Sequence, residues 1–281
     1  MAKILITGAS GFLGTKLMRT LKKNHEVMGT YSPRKNNGIC LDVTDADGVN
    51  NLISSFQPDF IFHTAAVVSV SGCEENYKEA RRIIFDGTRN IVEAAIKNSS
   101  FVVYPSTVYI FDGKKDCYKE TDSPNPLNAY GKLKLEAEET VRSFNNHIVY
   151  RLDTIYGYNG VGEKNGLLDA ILSGSPIELY EPDQRRHPVW VDDIAYVSLQ
   201  LIERRCSGIF NIATRNLTKY DLYRSLESLV RDSSLITAVE TPRGDRPKKI
   251  FLDTTKLNSL GIEQHSFEES LNLIHQQLRH E

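Results

Sequence analysis

The run "KILITGASGFLG", residues 3 to 14, limits what this chain can fold into more than any other stretch. An apolar, β-prone segment leads into Gly8, Gly11 and Gly14, and Leu13, Leu17 and Leu21 then recur at helical spacing. A strand feeding through glycines into an amphipathic helix opens a βαβ unit. There, missing side chains let backbone N–H groups approach a pyrophosphate at the helix N-terminus. The spacing is GxxGxxG rather than GxGxxG, so the strand before and the helix after carry this reading. The plainer alternative is a tight turn with close helix packing.

The alternation continues down the chain. "HEVMGTY" (25–31), "GICLDV" (38–43), "DFIFHTAA" (59–66), "FVVYPST" (101–107) and "HIVYRLDTIYG" (147–157) read as strands, separated by helical patterns over 46–56, 76–98 and 129–144. This order specifies an α/β fold, a parallel sheet of six strands covered by helices. Pro105 lies late in its strand, where a missing N–H matters least, which sets the sheet's C-terminal edge nearby. Open α/β sheets bind ligands at that edge. After residue 157 the rhythm loosens into "GYNGVGEKNG" and "YEPDQRRHP", and only "GIFNIAT" (208–214) reads again as a buried strand. The organisation expected is a dinucleotide-binding domain over 1–157, with 188–214 returning to it, and a smaller substrate-binding lobe from 158–187 and 215–281.

Composition narrows the function classes. Lys and Arg number 34 against 36 Asp and Glu in 281 residues, a net charge of -2, so the footprint of a nucleic-acid binder is missing. Cys40, Cys73, Cys117 and Cys206 are scattered without a CxxC pair, which reads as reduced thiols rather than a zinc knuckle or disulfide framework. No HExxH or His/Cys cluster occurs, and no metal is expected. No apolar run reaches the roughly 18 residues of a membrane span. A cytoplasmic protein without a membrane segment is the expectation.

After the second strand, where the ribose-reading acid of an NAD binder would stand, "TYSPRK" offers Arg34 and Lys35. A basic pair suits a 2′-phosphate and favours NADP(H) over NAD(H); two solvated loop cations are the bland alternative. Asp42 in "CLDVTD" could accept the adenine amino group or cap the next helix. The positions expected to face the cofactor are Gly8, Ser10, Gly11, Phe12, Leu13 and Gly14 in the loop, then Tyr31, Arg34, Asp42, Val43, Ala65 and Ala66 at strand ends. His63 reads as a satisfied core histidine.

In "NAYGKLKLEAEE" (128–139), Tyr130 and Lys134 stand at i, i+4 on one helix face. A phenol with pKa near 10 is a poor acid at neutral pH, and an ammonium beside it moves it toward the working range. Read without the glycine loop, the same pair is a half-buried ring over a solvated lysine stem.

Together, "TGASGFLG", "FHTAA", "PSTVYIFDG" and "YGKLK" resemble the short-chain dehydrogenase/reductase superfamily, and "VWVDDIA" and "GIFNIA" resemble its extended branch. "STVYIFDG", "ETDSPNPLNAYGKLKLEAEE" and "RPKKIFLDTTKL" are similar to the dTDP-4-dehydrorhamnose reductases. The resemblance implies a Rossmann-type doubly wound sheet, hydride transfer from a nicotinamide, and a nucleotide-linked 4-keto-6-deoxy sugar as substrate, with a homodimer allowed. It implies Tyr130 as proton donor, Lys134 as its cation and Thr107 as the hydroxyl that bonds the substrate carbonyl, with Ser106 facing the other way. Arg185, Arg186, Arg243, Arg246, Lys248 and Lys249 fall where relatives bind the diphosphate, Arg246 being the first choice, although solvated surface charge explains such a cluster as well. Asp192 and Asp193 read as helix caps.

Two departures stand out. Val108 replaces the acid that commonly follows the catalytic threonine, which also disfavours a 4,6-dehydratase, and Ile84 replaces an asparagine. An epimerase remains an alternative within the superfamily. So does a binding role, because "FQPDFIFHTAA", "LTKYDLY" and "RPKKIFLDTTKLNSLGI" resemble the regulatory subunit of methionine adenosyltransferase.

Overall fold

In "KILIT" every second side chain faces the same way, and all three central residues are apolar, so the strand needs cover on both faces. The computed structural model of the chain, which describes residues 1–32, 38–231, 234–240 and 245–280, provides it. Ile4 and Ile6 of β1 (Lys3–Thr7) join one core with Leu13, Leu17 and Leu21 of α1 (Phe12–Leu21) and with the helix Val191–Glu203. Leu5 joins the opposite core. The remaining elements that frame the site are β2 (Glu26–Tyr31), β3 (Ile39–Cys40), α2 (Ala46–Phe56), β4 (Phe60–His63), α3 (Val70–Glu75), α4 (Tyr77–Arg81), α5 (Gly87–Asn98), β5 (Phe101–Thr107), α6 (Ala129–Arg142) and β6 (His147–Leu152). Val49 and Ile53 of α2, Ile91 of α5, and Leu133 and Ala137 of α6 make up much of the second core.

The strands form one parallel sheet in the order Gly208–Asn211, β6, β5, β4, β1, β2, β3. This is the doubly wound Rossmann arrangement, whose strand order reverses between β1 and β4 and so opens a crevice at their C-terminal ends. Six strands were expected and seven are present, because Gly208–Asn211 pairs in register with Ile148–Arg151 of β6. The third strand is shorter than 38–43. Asp42 turns the chain by accepting from the Thr44 amide at 2.9 Å and the Thr44 hydroxyl at 2.7 Å. Asp42 is therefore not the cap of α2; Asp45 is, taking the Gly48 amide at 3.1 Å. The helical pattern over 76–98 is likewise interrupted, α4 passing through a π-helical segment, Arg82–Asp86, before α5.

Beyond β6 the chain builds small two-stranded pairings: Ile155–Tyr156 with Val189–Trp190, Ile177–Tyr180 with Ile236–Val239, and Arg185–Arg186 with Leu217–Thr218. These segments dock on the sheet's C-terminal edge through specific bonds. The Asn159 amide donates to the Phe12 carbonyl at 2.8 Å, and Lys16 donates to the Tyr158 carbonyl at 3.1 Å and to Asp192 at 2.9 Å. Asp192 and Asp193 sit in the first turn of Val191–Glu203 without capping it. Asp193 instead accepts from His265, whose ring nitrogen lies 2.6 Å away. Among the described residues no helix is long and apolar enough to cross a membrane.

Candidate active site

Gly8 has φ +69°, and a Cβ there would stand 2.8 Å from the Ala65 nitrogen; at Gly14 it would stand 2.4 Å from the Gly8 carbonyl oxygen. The loop therefore closes only with glycine at these positions. Gly11 starts α1 with no side-chain cap, and no acidic residue occupies the first turn. The positive end of the helix dipole and its free N–H groups thus face the crevice, which is the environment an anion requires.

That crevice is a cleft of about 530 Å³. Gly11, Phe12, Leu13 and Gly14 line one end, and Thr107, Tyr130 and Lys134 line the other. Ala66 and His63 stand between them at the end of β4, and Asp153 and Lys164 from the loops beyond β6, with Asp169 of the helix Leu167–Leu172, close it. A groove with a helix N-terminus at one end and polar groups at the other fits a dinucleotide laid along it.

Thr107, Tyr130 and Lys134 meet because the last three residues of β5 are each tied to one face of α6. Lys134 donates to the Pro105 carbonyl at 2.6 Å, Ser106 donates to Glu138 at 2.6 Å, and the Thr107 hydroxyl stands beside the Tyr130 phenol. Asn128 caps α6 by accepting from Gly131 at 2.8 Å, and its amide donates to the Asp245 carbonyl at 2.9 Å. Gly131 is required here, since a Cβ would stand 2.2 Å from the Tyr109 carbonyl oxygen. Tyr109 in turn packs edge-on against Tyr130, with ring centroids 6.1 Å apart.

The electrostatics differ from the sequence expectation. Burial pushes the Tyr130 phenol up, and the neighbouring Thr107 hydroxyl offsets only part of this, while Cys73 and Tyr109 add to the rise. The Lys134 ammonium is directed at the Pro105 carbonyl and lies 3.9 Å above the Tyr104 ring centroid. The phenol is accordingly held as an acid with its proton on. Lys134 itself is lowered to about 7 by burial, against the opposing charge of Glu138. His63 is the satisfied core histidine expected: its ring nitrogens meet Thr7 at 2.8 Å and Thr88 at 3.1 Å. Burial, and secondarily the Lys134 charge, lower it to about 3.

Other anticipated positions divide. Ala65 backs the glycine loop. Val43 is buried, its carbonyl accepting from Asn90 at 3.0 Å, and the Tyr31 ring lies against Gly38. Ser10, Tyr31, Asp42, Val43 and Arg246 do not line the cleft. Arg34, Lys35 and Arg243 fall outside the described residues. The segments that carry Arg185–Arg186 and Lys248–Lys249 lie side by side, the Arg185 amide donating to the Lys248 carbonyl at 2.8 Å, but the side chains differ in their surroundings. Arg186 is buried and bonds Gln184 and the Tyr109 hydroxyl, with Asp153 at 3.5 Å, whereas Lys249 pairs with Asp116 at the surface. The role of Asp153 was not legible in the sequence; an acid just past a buried strand was the only available signal. Val108 fills an apolar cluster with Ile110, Phe111 and Ile250, and Ile84 is buried in the π-helical segment.

A family model described as RmlD substrate binding domain matches residues 2–280. A probable low-salt glycan biosynthesis reductase of Haloferax volcanii is 30% identical, covering 95% of both chains. Methionine adenosyltransferase 2 subunit beta of Danio rerio is also 30% identical, over 94% of this chain and 86% of that one. Among solved structures, a dTDP-4-dehydrorhamnose reductase of Bacillus anthracis in complex with NADP superposes with a TM-score of 0.85 at 26% identity, covering 97% of this chain and 98% of that one.

Proposed function

The chain belongs to the RmlD substrate binding domain family, and from that membership we propose that it is an NADPH-preferring reductase of a nucleotide-linked 4-keto-6-deoxy sugar. The observation that carries the reading is the convergence of Thr107, Tyr130 and Lys134 in one cleft with the glycine loop. The NADP complex of the Bacillus anthracis relative supports the choice of cofactor.

On this reading Gly8 to Gly14 and the α1 N-terminus hold the pyrophosphate, Ala65 and Ala66 stand beside a ribose, and Tyr31, Arg34, Asp42 and Val43 serve the adenosine end. When bound, the reduced nicotinamide supplies a hydride. Thr107 donates a hydrogen bond to the sugar carbonyl oxygen, and Tyr130 hands that oxygen its phenolic proton. A phenol kept protonated by burial is in the form this step consumes. Lys134, as its ammonium, stabilises the phenolate left behind. Arg246 is proposed to meet the sugar-nucleotide diphosphate, and 158–187 with 215–281 to form the substrate-binding lobe.

The test is NADPH oxidation against a panel of nucleotide-linked 4-keto sugars, with Tyr130→Phe as control. Turnover that stops in Tyr130→Phe while NADPH still binds supports the assignment; unchanged turnover refutes it. An epimerase would return its cofactor unspent, so stoichiometric NADPH consumption separates the two. The likeness to Methionine adenosyltransferase 2 subunit beta favours a second reading, a binding subunit that retains a dinucleotide site. Copurification with a methionine adenosyltransferase chain, with no turnover on any keto sugar, would establish that one instead. Light scattering in solution tests the homodimer.

A further inference from the structure

Behind the cleft lies a fully buried ionic cluster to which the proposed reduction assigns no role. Glu138, with no exposed side-chain surface, pairs with Arg151 of β6 at 2.7 Å, and Arg151 also reaches the Glu120 carbonyl at 3.1 Å. Its second oxygen accepts from Ser106 at 2.6 Å. A buried ion pair contributes little net stability compared with apolar packing of the same volume, so its position calls for another explanation. That position is specific. Tyr130, Lys134 and Glu138 stand at i, i+4 and i+8 on α6, one above another. On β5, Pro105 accepts from Lys134, Ser106 donates to Glu138, and Thr107, the next residue, stands beside Tyr130.

From this geometry we infer that Glu138 is a positioning residue for the reduction. Through Ser106 it fixes the strand end that carries Thr107, and its negative charge, one helical turn beyond Lys134, favours the ammonium form of that lysine. The groups set against Lys134 are His63 of β4, held neutral, the Tyr104 ring and Pro105 carbonyl of β5, and Glu138 of α6 itself, while Tyr130, Asp153 and Asp169 line the same cleft. Among them Glu138 is the anion whose charge bears on Lys134. Arg151 and the half-exposed Arg142, 3.7 Å away, face Glu138 from the other side. The direction of the effect agrees, since Glu138 opposes the loss of the Lys134 proton that burial promotes.

The inference rests on the reductase reading, and the experiment separates the two. Glu138→Gln keeps the shape and the acceptor for Ser106 but removes the charge. In the NADPH-loaded protein the Lys134 side-chain NMR titration should then fall by about one pH unit, and the alkaline limb of kcat should move with it, a tenfold loss on that limb. Ser106→Ala, which leaves the ion pair intact, should lower kcat about tenfold with KM unchanged, through misplacement of Thr107. If Glu138→Gln strands Arg151 and fails to fold, Glu138→Gln with Arg151→Met gives the same readout. A Lys134 midpoint unmoved by loss of the carboxylate, or a Ser106→Ala kcat within twofold of wild type, overturns the inference. A midpoint that moves in a protein that reduces no keto sugar upholds the Glu138–Lys134 coupling and counts against the reductase reading alone.

Discussion

Gly14→Ala is the sharpest test of how the cleft is built. The new Cβ would stand 2.4 Å from the Gly8 carbonyl oxygen and 2.9 Å from the Ala9 Cα, both backbone atoms that no rotamer change can move. Real Cβ contacts essentially never fall below 3.0 Å, so turn and helix must part by about 0.6 Å. Overpacking of this kind costs roughly 1–3 kcal/mol, and the cost has two places to appear. If the loop keeps its shape, the folded state carries the strain and the melting temperature falls by roughly 2 °C per kcal/mol in a chain of this size. If the loop opens, the strain is relieved and NADPH affinity falls by roughly 5- to 150-fold, at about 1.4 kcal/mol per tenfold. Calorimetric titration with NADPH and a thermal melt of the same sample read both. Gly11→Ala, whose Cβ would stand 3.2 Å from the same oxygen, is the milder control. Gly14→Ala with its melting temperature within 1 °C and its affinity within twofold of wild type would show that the close approach imposes no constraint.

Two further outcomes follow from the buried ionisable groups. His63, lowered from 6.5 to about 3 in the folded state, contributes stability that is present above pH 6.5 and lost as the pH falls toward 3. Urea unfolding should register a loss on the order of 2 kcal/mol between pH 6.5 and 5, and His63→Gln should flatten that slope; an identical slope in the variant would discount the histidine. Lys134, lowered to about 7 by burial, costs the fold desolvation energy at neutral pH. Lys134→Met should thus melt no lower than wild type at pH 7 while turnover drops at least about 100-fold, and a large loss of stability would point to a structural lysine instead.

What could be read in the chain beforehand was whatever has a short period or a local grammar. β1, the glycine turn and α1 follow from residues 3 to 21 alone, and the shared face of Tyr130 and Lys134 follows from spacing along α6. The exchange of Asp42 for Asp45 as helix cap was beyond that reach, because both acids have suitable neighbours and only the Asp42–Thr44 turn decides between them. The strand Gly208–Asn211 is legible, but its place beside β6 is a contact between residues 60 apart in number, such as Gly208 and Ile148. The direction in which Tyr130 shifts depends on how deep the phenol lies, which leaves no trace in spacing. Asp153, Lys164 and Asp169 reach the cleft only once the loops beyond β6 have docked.

That docking ties two properties that protein engineers prefer to keep apart. Gly166 is packed so closely on the Phe12 ring that a Cβ there would stand 2.9 Å from it, and Asn159 grips the Phe12 carbonyl. Phe12 is the first residue of the helix whose tip meets the pyrophosphate on the proposed reading. Grafting the 158–169 segment from a relative to change sugar preference would therefore also reset the grip on the nucleotide, and a chimera that ignored Phe12 would lose both traits at once.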